Sequence, residues 1–260
     1  MKQRLLPSVT RAAVKVWQRN LDSFLKTYRV NFLPPFVEPV LYLLALGFGV
    51  GAYIDTIEGI SYVQFIAPAL VSISVMNSAF FECTYSSFVR MYYQKTFDAI
   101  IATPVSIEEV ITGEILWGAT RGLIYATLML PVLIVFGVVD LPSSILIIPF
   151  AFLSGLLFAS IAMCFTAVTP GIDTLNYPAF LFITPMFLFS GTFFPLDLLP
   201  EPIRIFAFAF LPLTHVVAIN RAITLTGYTP FNAVNLLWIA AVTAIFFLLA
   251  LRLMRKRLIV

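Results

Sequence analysis

Apolar residues fill six long stretches of this chain, at approximately 33–54, 62–85, 112–137, 144–168, 176–195 and 232–253. A helix needs about 20 such residues to cross a hydrocarbon core of about 30 Å. The pattern therefore predicts an all-α integral membrane protein with six transmembrane helices. Pro178 and Pro185 predict a kinked fifth span, which a membrane helix tolerates when neighbours satisfy the freed carbonyls.

Three other segments carry structure of their own. Residues 8–30 repeat Val9, Ala13, Val16, Trp17, Leu21, Phe24 and Tyr28 at helical steps. Arg11, Lys15, Arg19, Lys26 and Arg29 lie largely off that stripe. This predicts a basic amphipathic helix in the headgroup layer, so residues 1–32 read as a cytoplasmic interface helix and 33–260 as the transmembrane domain. The helix serves as a plain anchor or as a lever to a cytoplasmic partner. Between spans two and three, a short helix is expected over about Phe97–Ala102, capped by Thr96, with Asp98 suiting its dipole. Pro104 ends it. Ser106 and Glu109 then form a capping box that starts the helix of span three. Phe97, Ile100 and Ile101 either meet a protein partner or pack on the bilayer and the chain's own spans.

Between spans five and six, prolines at 195, 200, 202 and 212 break an apolar region into pieces. A helix over 201–211 reaches only about 16 Å. A second piece is expected over about 214–226, with Thr214 at its start and Gly227 at its stop. Two short apolar helices between two spans predict a re-entrant hairpin in the outer leaflet.

Charge sets the expected orientation. With the N-terminus inside, 13 Lys and Arg fall on cytoplasmic segments and 2 on outer ones, leaving Arg121 within a span. That asymmetry predicts both termini in the cytoplasm. The absence of a continuous apolar core in the first thirty residues predicts no cleavable signal peptide.

Composition agrees with a membrane chain and narrows the chemistry. Of 260 residues, 60% are hydrophobic and 11% charged, with a mean hydropathy of +0.98. A soluble domain carries about 25% charged residues. The net charge of +3 gives no reason to expect nucleic acid. Cys83 and Cys164 sit in apolar stretches and read as small packing residues. No Gly-rich phosphate loop is present, so ATP binding on this chain is not expected. His215 is the only histidine, and a metal site needs more ligands. No nucleophile and base stand at a credible spacing, so the chain does not read as an enzyme. Arg121, Glu114 and Glu82 are ionisable residues in or near spans. A buried pairing of Arg121 with Glu114 or Glu82 that orients helices is the favoured reading, and substrate contact the other.

Several segments carry a resemblance. They are Glu38-Pro-Val-Leu-Tyr-Leu-Leu-Ala-Leu-Gly-Phe-Gly-Val-Gly51, Tyr62-Val-Gln-Phe-Ile-Ala-Pro-Ala-Leu70 and Thr96-Phe-Asp-Ala-Ile-Ile-Ala-Thr-Pro104. Gly113-Glu-Ile-Leu-Trp117, Phe189-Ser-Gly-Thr-Phe-Phe-Pro195 and Leu211-Pro-Leu-Thr-His215 complete them. With these the chain resembles the ABC-2 type transporter permeases, and among them the NodJ-type nodulation permeases, which are lipooligosaccharide exporters. The likeness covers nearly the whole chain in order.

The resemblance implies a bacterial inner-membrane permease that pairs with itself as a homodimer and with two copies of a separate ABC ATP-binding subunit. ATP and Mg would sit on that subunit, with no cofactor on this chain. The coupling helix would comprise Thr96, Phe97, Asp98, Ala99, Ile100, Ile101, Ala102, Thr103 and Pro104. The substrate would be an exported amphipath: a lipid-linked saccharide, a glycolipid or a hydrophobic drug. Phe80, Phe81, Phe187, Phe189, Phe193 and Phe194 in or beside spans two and five suit acyl chains. The alternatives are an ATP-independent secondary transporter or channel, which would usually carry an internal repeat or intramembrane carboxylates, and a non-transporting membrane anchor.

Overall fold

The computed structural model describes residues 11–28, 37, 40–54, 56–57, 59–139, 141, 143–226 and 230–259. Among these the chain is almost entirely helical and has no strand, only an isolated bridge between Ile57 and Ile60. Among the described residues five helices are long and apolar enough to cross a membrane, and a sixth candidate is a bent pair. The first predicted span, 33–54, falls partly outside the described residues. What is described of it is helical over 40–50, with wide turns over Leu43–Val50. Glu38, Asp55, Glu58, Asp140 and Gly227 also lie outside.

Helix α1 (Ala12–Lys26) turns Ala13, Val16 and Asn20 inward. Helix α2 (Tyr62–Tyr93) opens with a reciprocal capping box between Ser61 and Gln64. It runs eight residues beyond the expected end at 85. Arg90 in this extension turns inward onto carboxylates, and a paired charge need not sit in water. Lys95 takes a left-handed conformation with φ 54° and ends α2. The short helix α3 (Thr96–Ile101) follows directly. Thr96 is its first residue rather than its cap; the cap position is Lys95, which makes no side-chain bond there. Ser106 and Glu109 do form the expected capping box and start α4 (Ile107–Val135).

Helix α5 (Ile147–Val168) and helix α6 (Ile172–Phe189) give the next two candidate spans. A wide turn over Ala179–Ile183 lies between the two prolines of α6. Helices α7 (Glu201–Phe210) and α8 (Pro212–Arg221) meet at Leu211, and the pair, continuing to Leu225, is bent by 89°. Leu211 precedes α8, so Thr214 is an interior, buried residue and not a cap. Helix α9 (Pro230–Leu258) is the last candidate span and runs past the expected 253.

Helices α2, α4 and α5 pack on one another; α9 lies on α5, α8 fits between α2 and α9, and α1 lies along α4. Lipid tails are as apolar as leucine, so close packing must hold such helices together. Small residues line the seams. A Cβ on Gly155 of α5 would stand 2.9 Å from the Ala119 backbone, and one on Gly118 of α4 would stand 2.5 Å from Cys83 Sγ. Cys83 and Cys164 are buried free thiols. Large apolar side chains on α6 and α9, such as Phe180, Leu181, Leu237 and Ile245, remain uncovered by the chain, as suits helices facing lipid.

Candidate functional site

The seam between α1, α2 and α4 holds five charged side chains. Glu114 of α4 is fully buried. Arg90 of α2 reaches it with Nη2 at 2.5 Å and Nε at 3.0 Å. Ser87 donates to Glu114 Oε2 at 2.8 Å, and Asn20 of α1 donates to Oε1 at 2.9 Å. Arg19 Nη2 stands 3.3 Å from Oε1. A buried carboxylate survives only when paired and hydrogen-bonded, and Glu114 meets that requirement with four donor residues from two helices, α1 and α2.

Glu82 is the second anion. Arg90 Nη1 approaches it at 2.8 Å and Trp117 Nε1 donates to it at 2.9 Å. Arg121 Nε lies 3.6 Å from its other oxygen. Arg121 therefore faces Glu82, while Glu114 is taken by Arg90, Asn20, Ser87 and Arg19. The guanidinium of Arg121 also sits 5.0 Å from the centre of the Phe24 ring and 5.5 Å from that of Tyr125.

Local geometry explains why Arg90 reaches both carboxylates. Eight residues of regular α-helix would carry Arg90 about 80° off the face of Glu82. Wide turns over Glu82–Ser86 and Val89–Tyr93 rotate less per residue and bring the two side chains back together. Such wide turns often accompany function.

Helix α1 closes the seam. Gly113 has no room for a Cβ, which would meet Val16 Cβ at 2.6 Å and the Ala13 carbonyl at 2.7 Å. Trp17 Nε1 donates to Thr120 at 2.8 Å, and the Phe24 and Trp117 rings lie 5.6 Å apart. Burial moves the Arg19 guanidinium below its ordinary pKa, with Glu114 opposing the shift. An arginine nonetheless stays charged at neutral pH. A cavity of about 390 Å3 remains between α1, α2 and α4.

Helix α3 sits at the same end of the bundle. Phe97 is completely buried and Ile100 and Ile101 are half-buried. Asp98, Ala99, Ala102, Thr103 and Pro104 are exposed. The face α3 offers is thus small and polar, with Tyr92 and Tyr93 exposed beside it. The basic end of α9 reaches the same region: Arg255 pairs with Glu108 at 3.1 Å, and Arg257 donates to the Thr166 and Thr169 carbonyls.

The far end is held by the bent pair. His215 Nδ1 lies 2.8 Å from Asn235 Oδ1 and Nε2 lies 2.9 Å from the Phe208 carbonyl. Its ring stacks on Trp238 at 4.0 Å. Arg221 ties α8 to α2 through the Phe65 carbonyl, with its guanidinium 3.7 Å from the centre of the Phe65 ring. Among the described residues no cluster of His, Cys, Asp and Glu suits a metal ion.

Arg19, Asn20, Ser87, Arg90 and Trp117 were not singled out from sequence as part of this network. No local signal marks Arg90, since regular helix would carry it off the face of Glu82.

Comparison with known proteins agrees with this architecture. The model of the ABC-2 type transporter family matches residues 13–225. Nodulation protein J of Sinorhizobium fredii is 33% identical over 246 residues, covering 95% of this chain and 94% of the relative. Nodulation protein J of Rhizobium leguminosarum bv. viciae is 34% identical over 246 residues, covering 94% and 93%. The inner membrane transport permease YadH of Escherichia coli is 25% identical over 189 residues, covering 73% of each. The chain belongs to the ABC-2 type transporter family, as a multi-span membrane transport permease.

Proposed function

We propose that this chain is the permease subunit of an ATP-driven exporter, working as a homodimer with two copies of an ABC ATP-binding subunit. The observation that carries this reading is α3. It is a six-residue helix pinned by the buried Phe97 and framed by α2 and α4. Its exposed face of Asp98, Ala99, Ala102 and Thr103 is small enough to enter a cleft on a partner. A rigid short helix between two long ones transmits force along both. Residues Thr96 to Pro104 then form the coupling element, at the cytoplasmic end with α1 and the basic tail of α9. That assignment accords with the distribution of Lys and Arg, with both termini inside. The bent pair α7–α8 forms the re-entrant outer hairpin, returning to the side it left.

The Arg90–Glu114–Glu82–Arg121 network favours a structural link from α1 and α3 to the bundle. Few charges remain inside the spans beyond this network, so a small ion or highly charged solute finds few partners there. The cargo is an amphipath with a lipid tail and a polar head, in keeping with the likeness to nodulation protein J. The test is reconstitution with the ATP-binding subunit in nanodiscs and liposomes, reading ATP hydrolysis and translocation of glycolipids, lipid-linked saccharides and drugs. Stimulation by small hydrophilic solutes alone would sink the reading, and transport without nucleotide would favour a secondary transporter.

A further inference from the structure

The charges around the α1–α2–α4 cavity do not cancel. Arg19, Arg90 and Arg121 face Glu82 and Glu114, so this cluster carries one surplus positive charge. The surplus is unevenly spread. Arg90 is held between both carboxylates. Arg121 is 3.6 Å from Glu82, beyond hydrogen-bond reach. Its Nε is buried without a hydrogen-bond partner, and so is Arg19 Nη1. Buried donors without acceptors are uncommon and call for an explanation.

Both arginines line the cavity, together with the hydroxyls of Ser23 and Ser86. A guanidinium fork suits phosphate oxygens in particular. The cavity's wall also carries the Phe24 and Trp117 rings, and α1 beside it exposes Leu25. Val14 and Leu25, exposed on the basic amphipathic helix α1, suit a ligand with acyl chains. A free phosphate, only a few waters in size, would leave most of about 390 Å3 unfilled.

We propose that this cavity seats the phosphate headgroup of an anionic phospholipid, with its acyl chains passing out beside α1 into the bilayer. The lipid phosphate balances the surplus charge of Arg121 and Arg19 at the cavity wall and holds α1 against α2 and α4. The proposal is independent of which compound the permease exports.

The full chain carries three tryptophans. Replacing Trp238→Phe leaves Trp17 and Trp117, both on the α1–α4 seam. This protein is placed in phosphatidylcholine nanodiscs, and brominated phosphatidylglycerol or brominated phosphatidylcholine is titrated in. Phosphatidylglycerol is expected to quench with about tenfold tighter apparent association. The preference should fall close to one in Arg121→Gln and persist in large part in Arg121→Lys. Ser23→Glu puts a carboxylate at the mouth while leaving every buried ion pair in place. It should abolish the preference even if Arg121→Gln fails to fold. Equal quenching by both lipids overturns the proposal. So does a preference that survives Ser23→Glu, and so does displacement of phosphatidylglycerol by millimolar inorganic phosphate, which would mark a small-anion site. Because the readout is binding, failure here leaves the export reading standing.

Discussion

Arg90 Nη2 stands 2.5 Å from Glu114 Oε2, and Glu114 is wholly shielded from solvent. Removing one partner from such a pair leaves an uncompensated buried charge, at a cost of about 3–5 kcal/mol. Glu114→Ala should therefore lower the melting temperature in detergent by roughly 10 °C. The double variant Arg90→Met with Glu114→Leu should recover only part of that loss, because Asn20, Ser87 and Arg19 still lose their acceptor. Circular dichroism melts check both. A Glu114→Ala protein that melts like the parent would mean the pair carries little stability.

Helix α1 should depend on Gly113. A methyl group there meets Val16 and the Ala13 carbonyl well inside contact distance. Gly113→Ala is expected to lift α1 from α4 while leaving the other helices inserted. Spin labels at Ser23→Cys and on α2, with Cys83 and Cys164 replaced, would report a lengthened and broadened distance distribution by pulsed EPR. An unchanged distribution would show that the seam relaxes locally.

The two faces of α3 should separate stability from coupling. Phe97→Ala opens a cavity in the core and should cost about 3–5 kcal/mol. Asp98→Lys or Ala102→Trp changes only the exposed face. These variants should insert and melt normally yet lose ATP-driven transport with the ATP-binding subunit present. Full transport by Ala102→Trp, with normal assembly, would remove α3 as the coupling element.

Membrane orientation can be read by labelling. In a chain with Cys83 and Cys164 replaced, cysteines at Asp197 and Tyr228 should both react with an impermeant reagent from outside. Cysteines at Lys95 and Arg257 should react only after the membrane is opened. Opposite behaviour of Asp197 and Tyr228 would make the α7–α8 pair a broken span. Outside labelling at Lys95 would invert the whole assignment.

At the bend, His215 joins the Phe208 carbonyl of α7 to Asn235 of α9. His215→Phe keeps the ring stacked near Trp238 but leaves polar atoms without partners. Each unsatisfied buried group costs about 1–3 kcal/mol. The variant should show faster deuterium exchange across 205–215 than across α4. Equal exchange in variant and parent would show that the bend is held elsewhere.

Much of this architecture is legible from local signals. Apolar length marks α2, α4, α5, α6 and α9, because a spanning helix satisfies its own backbone and needs only apolar side chains. The Ser106–Glu109 capping box marks the start of α4 within three residues of chain. The prolines around Leu211 mark two short helices, because proline removes a donor and ends the preceding helix. Thr96 and Thr214 do not cap their helices, for a shared reason. Leu211 and Lys95 take their places through backbone conformation, which no side chain of theirs announces.

The partner of Glu114 is the clearest case of what sequence alone leaves open. Arg121 shares its helix face seven residues on, which suggests a pair. Yet seven residues span about 10.5 Å along the axis, and helix neighbours pair across three or four. The wide turns of α2 instead bring Arg90 round to Glu114, and α1 delivers Arg19 and Asn20. Sequence alone determined that these helices form and roughly where they begin, because caps, prolines and apolar length act within a few residues. Tertiary structure decided which charges meet, because helical phase across α2 and the close approach of α1 at Gly113 depend on packing between segments almost a hundred residues apart.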